Sequence, residues 1–278
     1  FLSRARADFA RARFKAFLNR VRNLLVGQPH TLLSYDEVKE KLRIGGPIYR
    51  GVRTVEVEKI VGSLNRYHQF DRLFLPLEDK IAGRWQNVDV AYYNDVSLPP
   101  VVLYKVGEVY FVVDGHHRVS VAREQGQIYI EAEVRECSTK INITPDLRVE
   151  DLEILGDKVN FLERTGLDRL RPGVDIFLTI PDGFSRMLEH IAVHRYFMGL
   201  DWQRDISEEE AVLHWYDHVY TPIVRAIRRS GILKTFPGKR EGDLYLWVLD
   251  RQRYLHAEGR KLMSPTAAAR DFIKKVGE

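Results

Sequence analysis

The chain has 278 residues, of which 45% are hydrophobic and 29% charged, a composition typical of a globular protein with one or two domains. Its single cysteine, Cys137, excludes an intramolecular disulfide and a thiolate metal cluster. No apolar run approaches the roughly 20 residues needed to cross a bilayer, and no secretory signal is visible, so we expect a cytoplasmic protein without a membrane span.

The formal net charge of +4 is unevenly distributed along the chain. Residues 1–25 hold seven Arg or Lys side chains and one acid, a net of +6, which leaves the rest of the chain close to −2. This near-neutral remainder provides no wide basic face for nucleic acid. Any contact with DNA is therefore expected to depend on the N-terminal segment.

Residues 2–25 are predicted to form one amphipathic helix. Arginines fill most of the surface around an apolar stripe with 4-3-4-3 spacing, formed by Ala10, Phe14, Phe17, Val21 and Leu24. Three interpretations compete. The helix docks on the protein's own core or on a second copy, giving a homodimer; it contacts DNA; or it lies on an anionic membrane surface. The aromatic residues at heptad-like spacing favour packing.

The next hundred residues are predicted to alternate between helices and strands. Ser34 and Glu37 form a capping box for a short helix that ends near Leu42, before a Gly-Gly-Pro break. A strand, a polar loop, a helix, a β-hairpin, a second helix and a last strand are then predicted, at residues 53–57, 64–75, 78–93, 101–113, 116–125 and 128–134.

Residues 109–125, VYFVVDGHHRVSVAREQ, contain the strongest functional signal. An apolar strand ends at Asp114 and Gly115, and a helix begins at once. The first N–H groups of such a helix have no intrahelical partner, and together with the helix dipole they form an anion site. Arg118 adds a planar donor suited to phosphate, and His116 and His117 add further donors. The alternative is a tight Asp-Gly turn in which Asp114 only caps the helix.

The pattern DGHHRxxxA between a strand and a helix resembles the signature of the ParB/sulfiredoxin-like superfamily. The corresponding box is similar to GERRxxA in the ParB branch and to Gly-Cys-His-Arg in sulfiredoxin, and both contact a nucleotide triphosphate. The archaeal free-serine kinases of this superfamily carry the same letters, DGHHR. Residues 55–76 resemble the opening strand and polar loop of that domain, so the resemblance covers residues 53–134.

The resemblance implies an α+β fold with a small mixed sheet, and a ligand such as ATP, CTP or ADP, with Mg²⁺ as a companion ion. It implies two sets of site residues. The nucleotide-binding set is Gly115, His116, His117 and Arg118 with Arg66, Gln69 and Arg72 from the facing loop; the catalytic set is Asp114, His116, His117 and Asp71. Two departures matter. The catalytic cysteine of sulfiredoxin falls at His116, and the loop position of the kinases' glutamate base lacks a carboxylate, so Asp71 is the nearest substitute.

The sequence therefore favours a nucleotide-binding protein that acts as an NTP hydrolase, a nucleotide switch or a kinase-type phosphotransferase. The alternative is a DNA-binding, transcriptional-regulatory ParB-like protein that uses residues 1–25, although no helix-turn-helix pattern follows the ParB-like region. A third interpretation is a structural interaction module whose pocket has lost its ligand.

Four segments are predicted in all: a basic helix and a short helix at 1–50, the ParB/sulfiredoxin-like domain at 51–136, a linker at 137–147 and a mainly helical domain at 148–278. The last segment has alternating apolar residues at 174–180, which predict one strand, and a capping box at Ser207 opens a helix that Pro222 should kink. From residue 180 onward it resembles a helical domain attached to such modules.

Two histidine pairs in the helical segment are spaced four residues apart, His190 with His194 and His214 with His218. This spacing places both rings on one helix face, as in metal sites. The alternative, which we favour, is a hydrogen-bonded core histidine with solvent-facing neighbours, so no metal site is predicted. The loop at 237–242 does not match the phosphate-binding GxxxxGK[ST] pattern.

Overall fold

The computed structural model describes residues 1–26, 31–66, 68–259, 261 and 263–276. They divide into two compact units, Phe1–Leu152 and Glu153–Glu278. The first unit contains a six-stranded mixed sheet and four helices among its described residues, and the second is helical, so the α+β class is confirmed. The N-terminal helix and the segment 137–147, which the sequence set apart, both belong to the first unit. None of the described helices combines the length and apolar character needed for a membrane crossing.

The sheet of the first unit has the strand order β1-β3-β5-β4-β6-β2. Strands β4 and β5 form the predicted antiparallel hairpin, whereas β3 pairs in parallel with β5, and β6 in parallel with β4. The strands are β1 (Leu33–Ser34), β2 (Pro47–Glu56), β3 (Ile60–Ser63), β4 (Val101–Val106), β5 (Val109–Asp114) and β6 (Tyr129–Cys137).

Two of these strands differ from the sequence-based expectation. Strand β2 begins at Pro47, well before the predicted start, and lies at the edge of the sheet with most side chains exposed. Strand β3 was not predicted at all. All four of its residues are buried, so it has no alternation of polar and apolar side chains to mark it as a strand.

The helices of the first unit are α1 (Leu2–Val26), α2 (Tyr35–Leu42), α3 (Ala82–Tyr93) and α4 (His116–Glu124). The predicted cap of α2 is confirmed, because the Ser34 hydroxyl accepts a hydrogen bond from the Glu37 amide at 3.4 Å. Helix α3 begins later than predicted, after a single 3₁₀ turn. Helix α4 ends just before Gly126, whose φ of +72° is the left-handed conformation common at helix C-termini.

A buried hydrogen-bond chain joins the elements that surround the β5–α4 turn. The Trp85 indole of α3 donates to the Ser120 hydroxyl of α4 at 2.8 Å, and that hydroxyl donates to the Phe74 carbonyl at 2.6 Å. Trp85 and Phe74 are fully buried, and Phe70 packs against Phe74 in the same core. These bonds therefore tie α3, α4 and the loop residues 68–77 together beside the turn.

Helix α1 docks on this unit through a different face from the one predicted. Its buried apolar side chains are small apart from one phenylalanine and follow their own helical spacing, namely Ala5, Phe9, Ala12 and Ala16. Four of the five residues of the predicted stripe are large and exposed, and Ala10 is exposed as well. The helix therefore docks on the core, as one interpretation expected, but not through the predicted stripe. Alanines let the helix backbone approach the core closely, and a stripe defined by large side chains overlooks them.

The second unit is built from helices α5 (Asp151–Thr165), α6 (Leu167–Leu170), α7 (Gly183–Trp202), α8 (Glu208–Trp215), α9 (Thr221–Ser230), α10 (Glu241–Ala257) and α11 (Pro265–Val276). Helix α5 starts two residues before the unit boundary. The predicted cap at Ser207 is confirmed by its bond to the Glu210 amide. The expected kink at Pro222 takes the form of a π turn at Tyr216–Tyr220, directly before a proline that has no N–H to donate.

The strand predicted at residues 174–180 was wrong. Across this described segment the backbone forms no strand pairs. Its Thr179 amide and hydroxyl instead donate to the Asp243 carboxylate of α10, at 2.7 and 2.8 Å, and the Arg240 amide donates to the same group at 2.7 Å. The Asp243 carboxylate therefore accepts the hydrogen bonds that a neighbouring strand would accept in a sheet.

Replacing Asp243 with alanine is expected to lower the free energy of unfolding by about 3 kcal/mol, because it leaves two backbone donors without partners at a fully buried position. The measurement is a urea titration of the full chain. The control is Asp250→Ala, which removes an exposed ion pair with Arg186 and should cost less than about 1 kcal/mol. Equal, small losses in both variants would contradict the role of Asp243.

Candidate functional site

The β5–α4 turn is built around a glycine that no other residue can replace without strain. Gly115 has a φ of +98°, and a Cβ on it would lie 2.6 Å from Cγ1 of Val101. It also occupies the N-cap position of α4, and no described side chain caps this helix. The first N–H groups of α4 are therefore left available for a ligand or for solvent.

A cleft of about 500 Å³ opens beside this turn. Most of its polar wall is cationic or a hydrogen-bond donor, and Asp114 is the one carboxylate among the described residues that line it. The wall contains three arginines, two histidines and two asparagines: Arg66, Arg84, Arg118, His116, His117, Asn65 and Asn87. The cleft thus presents excess positive charge at a helix N-terminus, which suits an anion.

The structure brings most of the predicted site residues together. Six of them line the cleft: Arg66, Asp114, Gly115, His116, His117 and Arg118. Gln69 contributes indirectly, because its side-chain oxygen accepts a hydrogen bond from Nη1 of Arg66 at 3.2 Å and so orients that guanidinium. The facing loop therefore contributes to the cleft mainly through one arginine.

Asp71 and Arg72 are not among the residues that line the cleft. The buried Asp71 carboxylate accepts hydrogen bonds from the amides of Leu73 and Leu75, at 2.9 and 2.8 Å, and burial raises its pKa to about 6. Arg72 donates to the carbonyls of Pro145 and Leu147. Asp71 thus stabilises its own loop, and Arg72 fastens the segment that follows β6.

Sequence reasoning missed Arg84 and Asn87, which enter the cleft from α3. They lie three residues apart and so share one helix face. Within the described chain Arg84 makes no hydrogen bond or ion pair, and its side chain is exposed. No motif marks these residues in the sequence, because they reach the site only through the packing of α3 against α4.

Arg118 is more constrained than the sequence suggested. Its Nη1 donates to the carbonyls of Pro99 and Pro100, and its Nη2 pairs with the Asp114 carboxylate at 2.6 Å. The side chain is only 15% exposed. Arg118 therefore fixes the rim of the cleft and the position of Asp114, while Arg66 and Arg84 keep more freedom to meet a ligand.

His116 is buried and is oriented by Ser63 of β3. The Ser63 hydroxyl accepts a hydrogen bond from the Arg66 amide at 3.0 Å and lies 2.7 Å from Nε2 of His116, with which it forms a second hydrogen bond. Burial, together with the nearby charge of Arg66, lowers the pKa of His116 to about 4. The ring is therefore neutral at neutral pH.

His117 is the buried polar group whose hydrogen bonds are least accounted for. Both of its ring nitrogens are inaccessible to solvent and lack a partner among the described residues, although the residue lines the cleft. Burial lowers its pKa to about 4, with contributions from Arg66 and Arg84. Because buried polar atoms are normally satisfied, an orphaned imidazole in a cleft is a sign of a missing ligand or ordered water.

The two histidines predict how stability depends on pH. Their folded-state pKa values of about 4 lie below the ordinary value near 6.5, so the unfolded chain binds protons first as the pH falls. The contribution of these two histidines to the free energy of unfolding should be highest above about pH 6.5 and decline toward about pH 4. Urea titrations at about pH 7 and about pH 5 measure this decline, which should be smaller in His117→Gln. Identical declines in the parent protein and in His117→Gln would contradict the assignment.

The histidine pairs of the second unit do not assemble a metal centre. Nε2 of His194 lies 2.8 Å from Nδ1 of His214, and the rings of His214 and His218 stack with centroids 4.0 Å apart. Nδ1 of His190 lies within hydrogen-bond distance of the Tyr245 hydroxyl. Across the described part of the chain, no cluster of three or more metal-ligating side chains is present.

No protein-family model matches the chain, and no curated protein matches it either. The resemblance of the DGHHR box to the ParB/sulfiredoxin-like superfamily therefore stays a prediction.

Proposed function

We propose that the first unit binds the phosphate groups of a nucleotide, ATP, CTP or ADP, in the cleft at the N-terminus of α4. One observation carries the proposal. A cleft of about 500 Å³ places three arginines around a helix N-terminus that begins at a left-handed glycine and that no described side chain caps. Unpaired helix amides combined with guanidinium groups are a recurrent way of binding phosphate.

The residues of the cleft suit different parts of such a ligand. The amides of the first turn of α4 and the guanidinium groups of Arg66 and Arg84 would hold phosphate oxygens. The imidazole of His117, whose two ring nitrogens are covered and without a described partner, would supply one more donor after a turn of its ring toward the ligand. Asp114 fits a Mg²⁺ ion that is otherwise held by phosphate oxygens, because magnesium sites often use only one or two carboxylates. The resemblance of DGHHR to nucleotide-contacting boxes supports the same ligand class.

The positions of the carboxylates limit which residues could act as a general base after the nucleotide has bound. Asp71 does not line the cleft, so a general base for hydrolysis or phosphoryl transfer would have to be Asp114, His116 or His117. His116 and His117 are neutral at neutral pH and able to accept a proton, and Asp114 is held by Arg118. We propose nucleotide binding as the basic activity, with a nucleotide switch, hydrolysis and phosphotransfer as its alternative uses.

A thermal-shift series on the full chain tests the proposal. ATP, CTP and ADP, with and without Mg²⁺, are expected to raise the melting temperature, since a ligand at a hundred times its Kd stabilises the native state by about 2.7 kcal/mol. Inorganic triphosphate should also raise it, whereas adenosine, which has no phosphate, should not. No shift with any phosphate compound, or an equal shift with adenosine, would rule out a phosphate site.

A further inference from the structure

The outward face of α1 is a continuous apolar surface. Six large side chains between positions 14 and 25 are 42% to 83% exposed: Phe14, Phe17, Leu18, Val21, Leu24 and Leu25. With 3.6 residues per turn they fall on the side of the helix opposite to the buried Ala5, Ala12 and Ala16. Large contiguous apolar patches are rare on soluble surfaces and usually mark an interaction site.

Cations border this apolar face on both sides. By the same helical geometry, Arg6, Arg13 and Arg20 run along one border, seven residues apart, and Arg4, Arg11, Lys15 and Arg22 follow the other. Some of them serve the fold, because Arg11 and Lys15 pair with Glu124, and Arg13 pairs with Asp79.

Three of these cations remain uncommitted. Within the described residues, Arg6, Arg20 and Arg22 are exposed and form no ion pair. These three arginines occur on both borders of the apolar face. The face therefore combines apolar side chains in its middle with unneutralised positive charge at its edges.

We propose that this face of α1 docks on an anionic phospholipid surface, with the helix lying in the plane of the interface. The apolar side chains would enter the boundary of the acyl chains, and the bordering arginines would reach back to lipid phosphates. The arrangement satisfies both requirements of peripheral binding, buried apolar area and electrostatic attraction. Docking of this kind needs no membrane-spanning segment.

Charge complementarity separates this partner from the other two candidates. A second copy docked face to face would bring the uncommitted Arg6, Arg20 and Arg22 of both helices together, so the cationic borders would repel. Duplex DNA would meet the arginines but would place Phe14, Phe17 and Val21 against phosphates, where apolar side chains gain nothing. An anionic lipid surface is the partner that matches the centre and both edges.

Vesicle co-sedimentation of the full chain tests the proposal. We expect binding to vesicles of mixed phosphatidylcholine and phosphatidylserine, weakened by salt, and little binding to phosphatidylcholine alone. Phe14→Ser with Phe17→Ser should weaken binding at least about tenfold. Arg6→Gln, Arg20→Gln and Arg22→Gln combined should weaken it by about a hundredfold.

The matched control replaces two equally exposed apolar residues on β2, Ile48→Ser with Val52→Ser, and should leave binding unchanged. All the substituted side chains are exposed, so melting curves are expected to overlay that of the parent protein. A parent chain that ignores anionic vesicles overturns the proposal. The proposal is also overturned if the chain forms a dimer that the Phe14 and Phe17 substitutions dissociate, while no vesicle binding is seen. Binding of duplex DNA through the same arginines, without binding of lipid, overturns it as well.

Discussion

Replacing Gly115 with alanine is expected to lower the free energy of unfolding by about 2 to 4 kcal/mol and to weaken phosphate binding. Two costs add. A non-glycine residue is forced into the left-handed region at a φ of +98°, and its Cβ would lie 2.6 Å from Cγ1 and 2.9 Å from Cβ of Val101. Relief of that clash must move the start of α4, which is where the amides of the proposed site begin.

Gly126 provides the matched control for this variant. It also has a positive φ, +72°, but a Cβ built there meets no atom within 4 Å. Gly126→Ala should therefore cost about 1 kcal/mol from backbone strain alone. Urea titrations measure both variants, and equal costs at Gly115 and Gly126 would show that the turn is not tightly packed.

Replacing Arg84 with glutamine is expected to weaken binding of ATP or inorganic triphosphate by about ten- to a hundredfold while the melting temperature of the free protein stays unchanged. Arg84 lines the cleft, is exposed and has no partner within the described chain, so its removal breaks no contact of the fold. A hydrogen bond to a charged group contributes about 1.5 to 3 kcal/mol, which corresponds to this range of affinity. Isothermal titration calorimetry measures the change.

Two further variants sharpen the interpretation of Arg84→Gln. Lys41→Gln removes one exposed positive charge from α2, outside the cleft, and should change the affinity only slightly. Arg118→Ala removes a guanidinium that also holds Asp114 and two proline carbonyls. It should lower the melting temperature as well as the affinity. If Arg84→Gln and Lys41→Gln weakened binding equally, the affinity would depend on the overall charge of the protein and not on the cleft.

Local signals carried most of what the sequence predicted correctly. The hairpin of β4 and β5, the glycine turn and the start of α4 all lie within about twenty residues of chain. Periodicity, turn residues and the mechanism of anion binding at helix N-termini were enough to nominate the turn as a site. Six of the nine predicted site residues line one cleft as a result.

The features that the sequence did not predict all depend on contacts between segments that are distant along the chain. Strand β3 pairs in parallel with β5, and its fully buried residues lack alternation. Arg84 and Asn87 reach the cleft only because α3 packs beside α4. Helix α1 docks through alanines, so the stripe of large apolar residues that marked it as amphipathic is the face it exposes. In each case, a local pattern was compatible with more than one tertiary arrangement.

The proposal that α4 begins at a phosphate site is tested most directly by an NMR titration of the full chain with inorganic triphosphate. We expect saturable shifts of the backbone amides of His116, His117 and Arg118, together with a change at the orphaned ring nitrogens of His117. Arg84→Gln should require a correspondingly higher concentration for the same shifts. If triphosphate leaves these amides unmoved while amides elsewhere respond, or if no resonance moves at all, the β5–α4 turn does not bind phosphate.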